Sequence, residues 1–225
     1  MGNGRFTKPE AMIFDMDGTL FQTETLLEHV HVRLFRQLRE EELYLGEMPP
    51  AEKLLSSLGM LLEDIWRRVM PDGSDAAHRR ADELMLQYEL EGLDSGLGSL
   101  YPYVETTLQE LQRRGIKLFV ASNGLEHYVK GVARSKGIDR YFHGLYSAGE
   151  YGTLSKVDLV AGLLKDYGIR TAWMIGDRSS DVEAGVKNGL TVIGCDYAGF
   201  GKKEELEGAD AVIADFRELI RYIRD

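Results

Sequence analysis

The chain has 225 residues, 44% apolar and 28% charged, enough material for a hydrophobic core in one large domain or in a domain with a sizeable insertion. Acidic residues outnumber basic ones 37 to 27, a net charge of −10 that argues against a surface for phosphate backbones and predicts no nucleic-acid partner. A single cysteine, Cys195, excludes an internal disulfide and fits a reducing compartment; it ends the apolar run LTVIGC and reads as buried.

The N-terminal stretch MGNGRFTKPE is polar and has no apolar signal region, and Phe6 stands where a myristoylation signal after Gly2 requires Ser or Thr. No apolar run reaches the ~18 residues of a membrane span, so the expectation is a cytoplasmic protein without a membrane partner. Residues 10–15 form a short apolar run. Residues 21 to about 98 read as successive helices, LLEHVHVRLFRQLREEEL, PPAEKLLSSLG, MLLEDIWRRVM and DAAHRRADELMLQYELEG, punctuated at Pro49-Pro50 and Pro71-Asp72-Gly73. The glycine-rich GLDSGLGS (92–99) reads as a hinge.

From about residue 100 strands and helices alternate. KLFVA (117–121), GLYSA (144–148), AWMIG (172–176), TVIGC (191–195) and AVIA (211–214) are mostly apolar on successive residues, as strands covered on both faces are. Amphipathic stretches lie at 103–114, 125–136, 155–167, 179–188 and 215–223, and Gly115, Gly137, Gly168 and Gly189 follow the first four as helix stops. The pattern predicts an α/β fold, a doubly wound parallel sheet, with residues 1–20 and 99–225 forming the core and 21–98 an inserted helical cap.

The run AMIFDMDGTL places Asp15 and Asp17 two residues apart at the end of the first strand, where open α/β sheets bind ligands. Two carboxylates that close either share a proton or hold a cation, and Mg²⁺ is the small oxygen-seeking ion that suits them. Gly18 permits a sharp turn, and Thr19 can pin it with its hydroxyl. Further acids at a neighbouring strand end are then expected, and WMIGDRSSD supplies Asp177 and, one helical turn on, Asp181. FVASNG puts Ser122, Asn123 and Gly124 between a strand and a helix start, a position that binds anions, and Lys156 opens the helix SKVDLVAGLLKDYG.

In this order the motifs DMDGT, SNG, Lys156 and GDRSSD resemble those of the haloacid dehalogenase superfamily, with 34 residues from Ser122 to Lys156 and 21 from there to Asp177. A helical insertion between the first motif and the second strand is similar to its C1-capped, phosphoglycolate phosphatase and β-phosphoglucomutase-like subclass. The resemblance implies an aspartyl-phosphate on Asp15, with Asp17 as general acid and then base. It implies that Ser122, Asn123, Gly124 and Lys156 bind the phosphoryl group. Mg²⁺ would be held by the Asp15 carboxylate, the Asp17 main-chain carbonyl and Asp177, with Thr19 and Asp181 behind them. Two departures bear on substrate identity: Gln22-Thr23 replaces the common Asp-Ser or Asp-Thr, and Val157 replaces the proline that often follows the lysine. Neither is expected to touch the chemical residues.

Each residue alone has an ordinary reading: Asp177 as a helix cap, Ser122 as a turn group, Lys156 as a solvated surface charge. His29, His31, Arg67, Arg68, Arg79 and Arg80 read as packing or surface residues, and Trp66 and Trp173 as packing. The implied activity is hydrolysis of a small phosphorylated metabolite, whether phosphoglycolate, a nucleotide, a sugar phosphate or pyrophosphate, by a monomer or homodimer. The alternatives are a phosphomutase of the same superfamily and a non-catalytic protein that kept the fold. Carbon–halogen cleavage is disfavoured because it has no use for Asp17, and Schiff-base chemistry because Lys53 is the one lysine between residues 21 and 98.

Overall fold

A computed structural model describes residues 6–57, 60, 62–153, 155–199 and 203–224. Gly2, and the Leu58-Gly59 end of the segment that begins at Pro49, lie outside the described residues. The chain opens with a short strand, β1 (Phe6–Thr7), and the first sheet strand, β2 (Ala11–Phe14). A two-residue strand, β3 (Phe21–Gln22), leads into four helices: α1 (Glu24–Glu40), α2 (Ala51–Leu55), α3 (Leu62–Val69) and α4 (Asp75–Asp94). The chain returns through β4 (Ser99–Leu100) and then alternates: α5 (Val104–Arg113), β5 (Lys117–Ser122), α6 (Glu126–Ser135), β6 (Gly144–Ser147), the short α7 (Ala148–Tyr151) and α8 (Lys156–Asp166). It closes with β7 (Ala172–Gly176), α9 (Ser179–Lys187), β8 (Thr191–Cys195), β9 (Ala211–Ile213), α10 (Leu219–Tyr222) and β10 (Ile223–Arg224). Among the described residues no helix is long and apolar enough to cross a membrane.

Six strands form one parallel sheet in the order β6-β5-β2-β7-β8-β9. The unbroken apolar runs follow from its two covered faces, since successive side chains point to opposite sides. Ala11, Ile13, Phe119, Ala121 and Met174 pack with Leu159, Val160 and Leu163 of α8 and Ala184 of α9. Met12, Phe14, Leu118, Val120 and Ile175 pack on the other side with Leu108 and Leu111 of α5 and Val129 and Val132 of α6. β2 lies between β5 and β7, and the chain builds outward first on one flank and then on the other. The carboxyl end of β2 therefore sits where the strand order reverses, the binding position in such sheets. Cys195, Trp66 and Trp173 are buried, as read from the sequence.

The helical block differs from the sequence reading at its exit. α4 runs on to Asp94, so the first residues of the expected hinge are helical, and Gly98, in the left-handed region at φ +80°, is packed against Phe21. The outgoing and returning chains pair as an antiparallel ribbon, Phe21 opposite Leu100 and Gln22 opposite Ser99, with Gln22 Nε2 donating to Leu100 O at 2.6 Å. The expected helix at 215–223 is also broken. A 3₁₀ turn over Phe216–Glu218 precedes α10, and β10 then pairs in parallel with β1, Phe6 opposite Ile223. A two-residue strand is too short to show any hydrophobic period.

Candidate active site

The site is built at the carboxyl end of the sheet. Asp15 follows β2 and still donates its backbone N–H to Ile175 O of β7 at 2.9 Å, so the sheet fixes its position. The chain then folds back: Leu20 and Phe21 N–H both reach Met16 O, and Gly18 takes φ +76°. Glycine is required there twice over, for its dihedral and because a Cβ would lie 2.3 Å from Asp177 Oδ2. Thr19 Oγ1 donates to Asp177 Oδ1 at 3.1 Å, which ties the turn to the end of β7.

Lys156, the first residue of α8, is 3% exposed and is no surface charge. Its Nζ lies 2.8 Å from Asp15 Oδ1 and donates to Asp181 Oδ1 at 2.6 Å. Burial acts to lower the ammonium's pKa, but Asp15 and Asp181 outweigh it, and the net shift is upward. Asp181 uses its second oxygen to accept the Arg178 backbone N–H at 3.0 Å. Both its oxygens are thus engaged, one by Lys156 and one by the Arg178 backbone. Arg178, and not Asp177, is the residue at the N-cap of α9, so the ordinary capping reading of Asp177 does not hold.

Asp15, Asp177 and Asp181 each bring a carboxylate oxygen within 4.8 Å of the other two. Asp177 Oδ2 is buried without a hydrogen bond, its nearest cation being Arg178 Nε at 3.4 Å. Burial, then Asp15 and Asp181, push the Asp177 carboxyl well above the usual carboxylate range. An orphaned oxygen amid mutually repelling carboxylates, walled by hard oxygen donors, fits a divalent cation.

Asp17 faces the neighbouring cavity, which Asp15, Ser122, Asn123 and Gly124 also line. Its Oδ1 accepts from Thr23 Oγ1 at 2.6 Å and from Tyr128 OH at 2.5 Å. Burial first, and Asp15 second, raise its carboxyl to about 6 against the pull of these two donors. The expectation that Gln22-Thr23 leaves the chemical residues untouched is therefore corrected, because Thr23 is buried and bonded to Asp17. Ser122 is buried at the end of β5, where its Oγ accepts the Gly124 N–H at 3.2 Å, so it does hold a turn as well as line the cavity. Sequence reasoning missed Thr23, Tyr128 of α6 and Glu89 of α4. Only Thr23 carried a signal, its place in a motif; Tyr128 and Glu89 reach the cavity through helix packing.

A parallel sheet whose switch point gathers Asp15, Asp17, Ser122, Lys156, Asp177 and Asp181 defines an α/β enzyme site suited to a metal and an anionic group. Residues 9–189 match the family model for haloacid dehalogenase-like hydrolases, and the chain belongs to that family. It is 30% identical over 201 residues to a 5'-nucleotidase of Pseudomonas aeruginosa, covering 87% of this chain and 86% of that one. It is 28% identical over 224 residues to a phosphoglycolate phosphatase of Pseudomonas fluorescens, covering 94% and 79%. The fold is shared with the crystal structure of a predicted phosphoglycolate phosphatase from Haemophilus somnus, with a TM-score of 0.81 at 19% identity over 96% of this chain and 98% of that one.

Proposed function

We propose that this protein is a Mg²⁺-dependent phosphatase of a small phosphorylated metabolite, acting in the cytoplasm, with residues 21–98 as a cap over the site. The observation that carries the reading is the pairing of buried Asp15 with Lys156 beside a cavity that Asp17 and Ser122 also line. The 5'-nucleotidase and phosphoglycolate phosphatase relatives support phosphomonoesters as the substrate class.

In this reading an Asp15 carboxylate oxygen attacks phosphorus and the P–O bond to the leaving alcohol breaks. Asp17 gives its proton to the departing oxygen, leaving an aspartyl-phosphate. Water then attacks that phosphorus, Asp17 takes the proton back, and phosphate leaves with Asp15 regenerated. A carboxyl held near 6 is matched to both halves of this exchange. Ser122 and Lys156 hold phosphoryl oxygens, and Asp181 keeps the ammonium aimed at Asp15. Asp15, Asp177 and the main chain at Asp17 would hold Mg²⁺, which when bound supplies positive charge against the phosphoryl oxygens.

A panel of phosphorylated metabolites assayed for phosphate release with and without Mg²⁺ tests this. Metal-dependent release, lost by at least a thousandfold in Asp15→Asn with the fold intact by circular dichroism, is the expected result. Isomerised sugar phosphate in place of free phosphate would mark a mutase, and an Asp15→Asn variant as active as wild type would overturn the mechanism.

A further inference from the structure

The cavity beside Asp17 has a roof with an unusual chemistry. Asp82, Met85, Leu86 and Glu89 of α4 all line it, and their spacing is that of one helix face. Such a stripe is apolar when it serves only packing, yet its first and last positions here are acids. Asp82 has a partner, the indole N–H of Trp66. Glu89 is 5% exposed, lines the same cavity as Asp17, and makes no hydrogen bond to any described residue. Its oxygens keep contact with the cavity and are not sealed in protein, so a partner for the carboxyl must come from what occupies that cavity.

No Lys, Arg or His is among the described residues lining this cavity. Lys156 is committed to Asp15 and Asp181, on the phosphoryl side. An anionic leaving group would enter a space whose described lining holds four carboxyl groups, Asp15, Asp17, Asp82 and Glu89, and no cation. A leaving group carrying hydroxyl or ammonium donors would instead satisfy the orphaned acid.

We propose that Glu89 selects the substrate of the phosphatase reading, on which this inference rests. The preferred phosphomonoester has an alcohol that presents hydroxyl or ammonium donors to Glu89, and an ester whose alcohol bears a carboxylate is rejected. The chain thereby differs in preference from relatives named for phosphoglycolate.

The test uses the full chain with Mg²⁺ and four esters: glycerol phosphate, phosphoethanolamine, 2-phosphoglycolate and p-nitrophenyl phosphate. kcat/KM is measured for each, and any ester not turned over is ranked by its inhibition constant against p-nitrophenyl phosphate. Glycerol phosphate or phosphoethanolamine should be favoured over 2-phosphoglycolate at least tenfold, about 1.4 kcal/mol. Glu89→Gln, which gives a carboxylate an N–H donor, should narrow that ratio by at least fivefold. Equal or reversed preference in the wild type overturns the inference, as does a Glu89→Gln variant that lowers all four esters by one common factor. The wild-type ratio decides alone if the variant does not fold. Absence of release from every ester, p-nitrophenyl phosphate included, brings down the phosphatase reading and this inference with it, an outcome distinct from altered preference.

Discussion

Thr23 and Tyr128 act on Asp17 in one direction. Both donate to the same oxygen and so favour its ionised form, while burial and Asp15 favour the protonated form. Removing a donor therefore raises the carboxyl's pKa further. A hydrogen bond of ~1 kcal/mol corresponds to about 0.5–1 pH unit. If Asp17 must be protonated in the free enzyme to act as acid, Tyr128→Phe will move the alkaline limb of the kcat/KM profile upward by about that amount. A limb that stays in place would separate Asp17 from the proton transfer. At Gly18 the constraint is steric: Gly18→Ala adds a methyl against Asp177 Oδ2 and forces a strained dihedral. The expected result is a large loss of Mg²⁺ affinity, read from the metal dependence of turnover, with about 1–3 kcal/mol of destabilisation in urea.

At the level of elements, α8 and β2 deliver the key ion pair, and a local cap sets where α8 begins. Ser155 Oγ accepts the Asp158 N–H at 3.1 Å and fixes the first turn that carries Lys156. Ser155→Ala should cost ~1 kcal/mol, or about 2–4 °C in melting temperature for a chain of this size. Differential scanning calorimetry on the metal-loaded protein measures it, and an unchanged melting temperature would show that sheet packing places Lys156 unaided. The sheet strands and the principal core helices were legible in the sequence because each is long enough to show period and punctuation. So were Asp15, Asp17, Ser122, Lys156, Asp177 and Asp181 as a group, since each stands at a strand end or a helix start. The ribbon of β3 with β4 and the pair β1 with β10 were not, because two-residue strands have no pattern and their partners are distant in sequence. Glu89 was invisible for another reason: only packing of the helical block against the core decides that its face of α4 meets Asp17.

Over the whole molecule, the acidic centre couples folding to pH. Burial raises Asp17 and Asp181 to about 6 each, and Asp177 and Glu89 rise above the ordinary carboxylate range as well. Where a folded-state pKa exceeds the unfolded one, the folded chain binds more protons, so its stability falls as pH rises between the two values. For Asp17 and Asp181 that window runs from about pH 4 to about pH 6. In chelator, the urea midpoint should therefore carry a downward contribution across this window, and saturating Mg²⁺ should reduce it, because positive charge on Asp15 and Asp177 favours the ionised forms of the carboxyls beside them. Identical pH profiles with and without Mg²⁺ would count against a metal held by this cluster.

The paired strands at residues 21–22 and 99–100 carry a mechanical consequence. Both passages between sheet and helical block are laced side by side, and Thr25 Oγ1 accepts the Ser99 N–H across them at 3.0 Å. Neither crossing can turn without the other, and α4 is tied to the core a second time where Ser135 Oγ donates to Leu93 O at 3.0 Å. A swing of the block about this ribbon therefore displaces both crossings together and changes the spacing between Glu89 and Asp17.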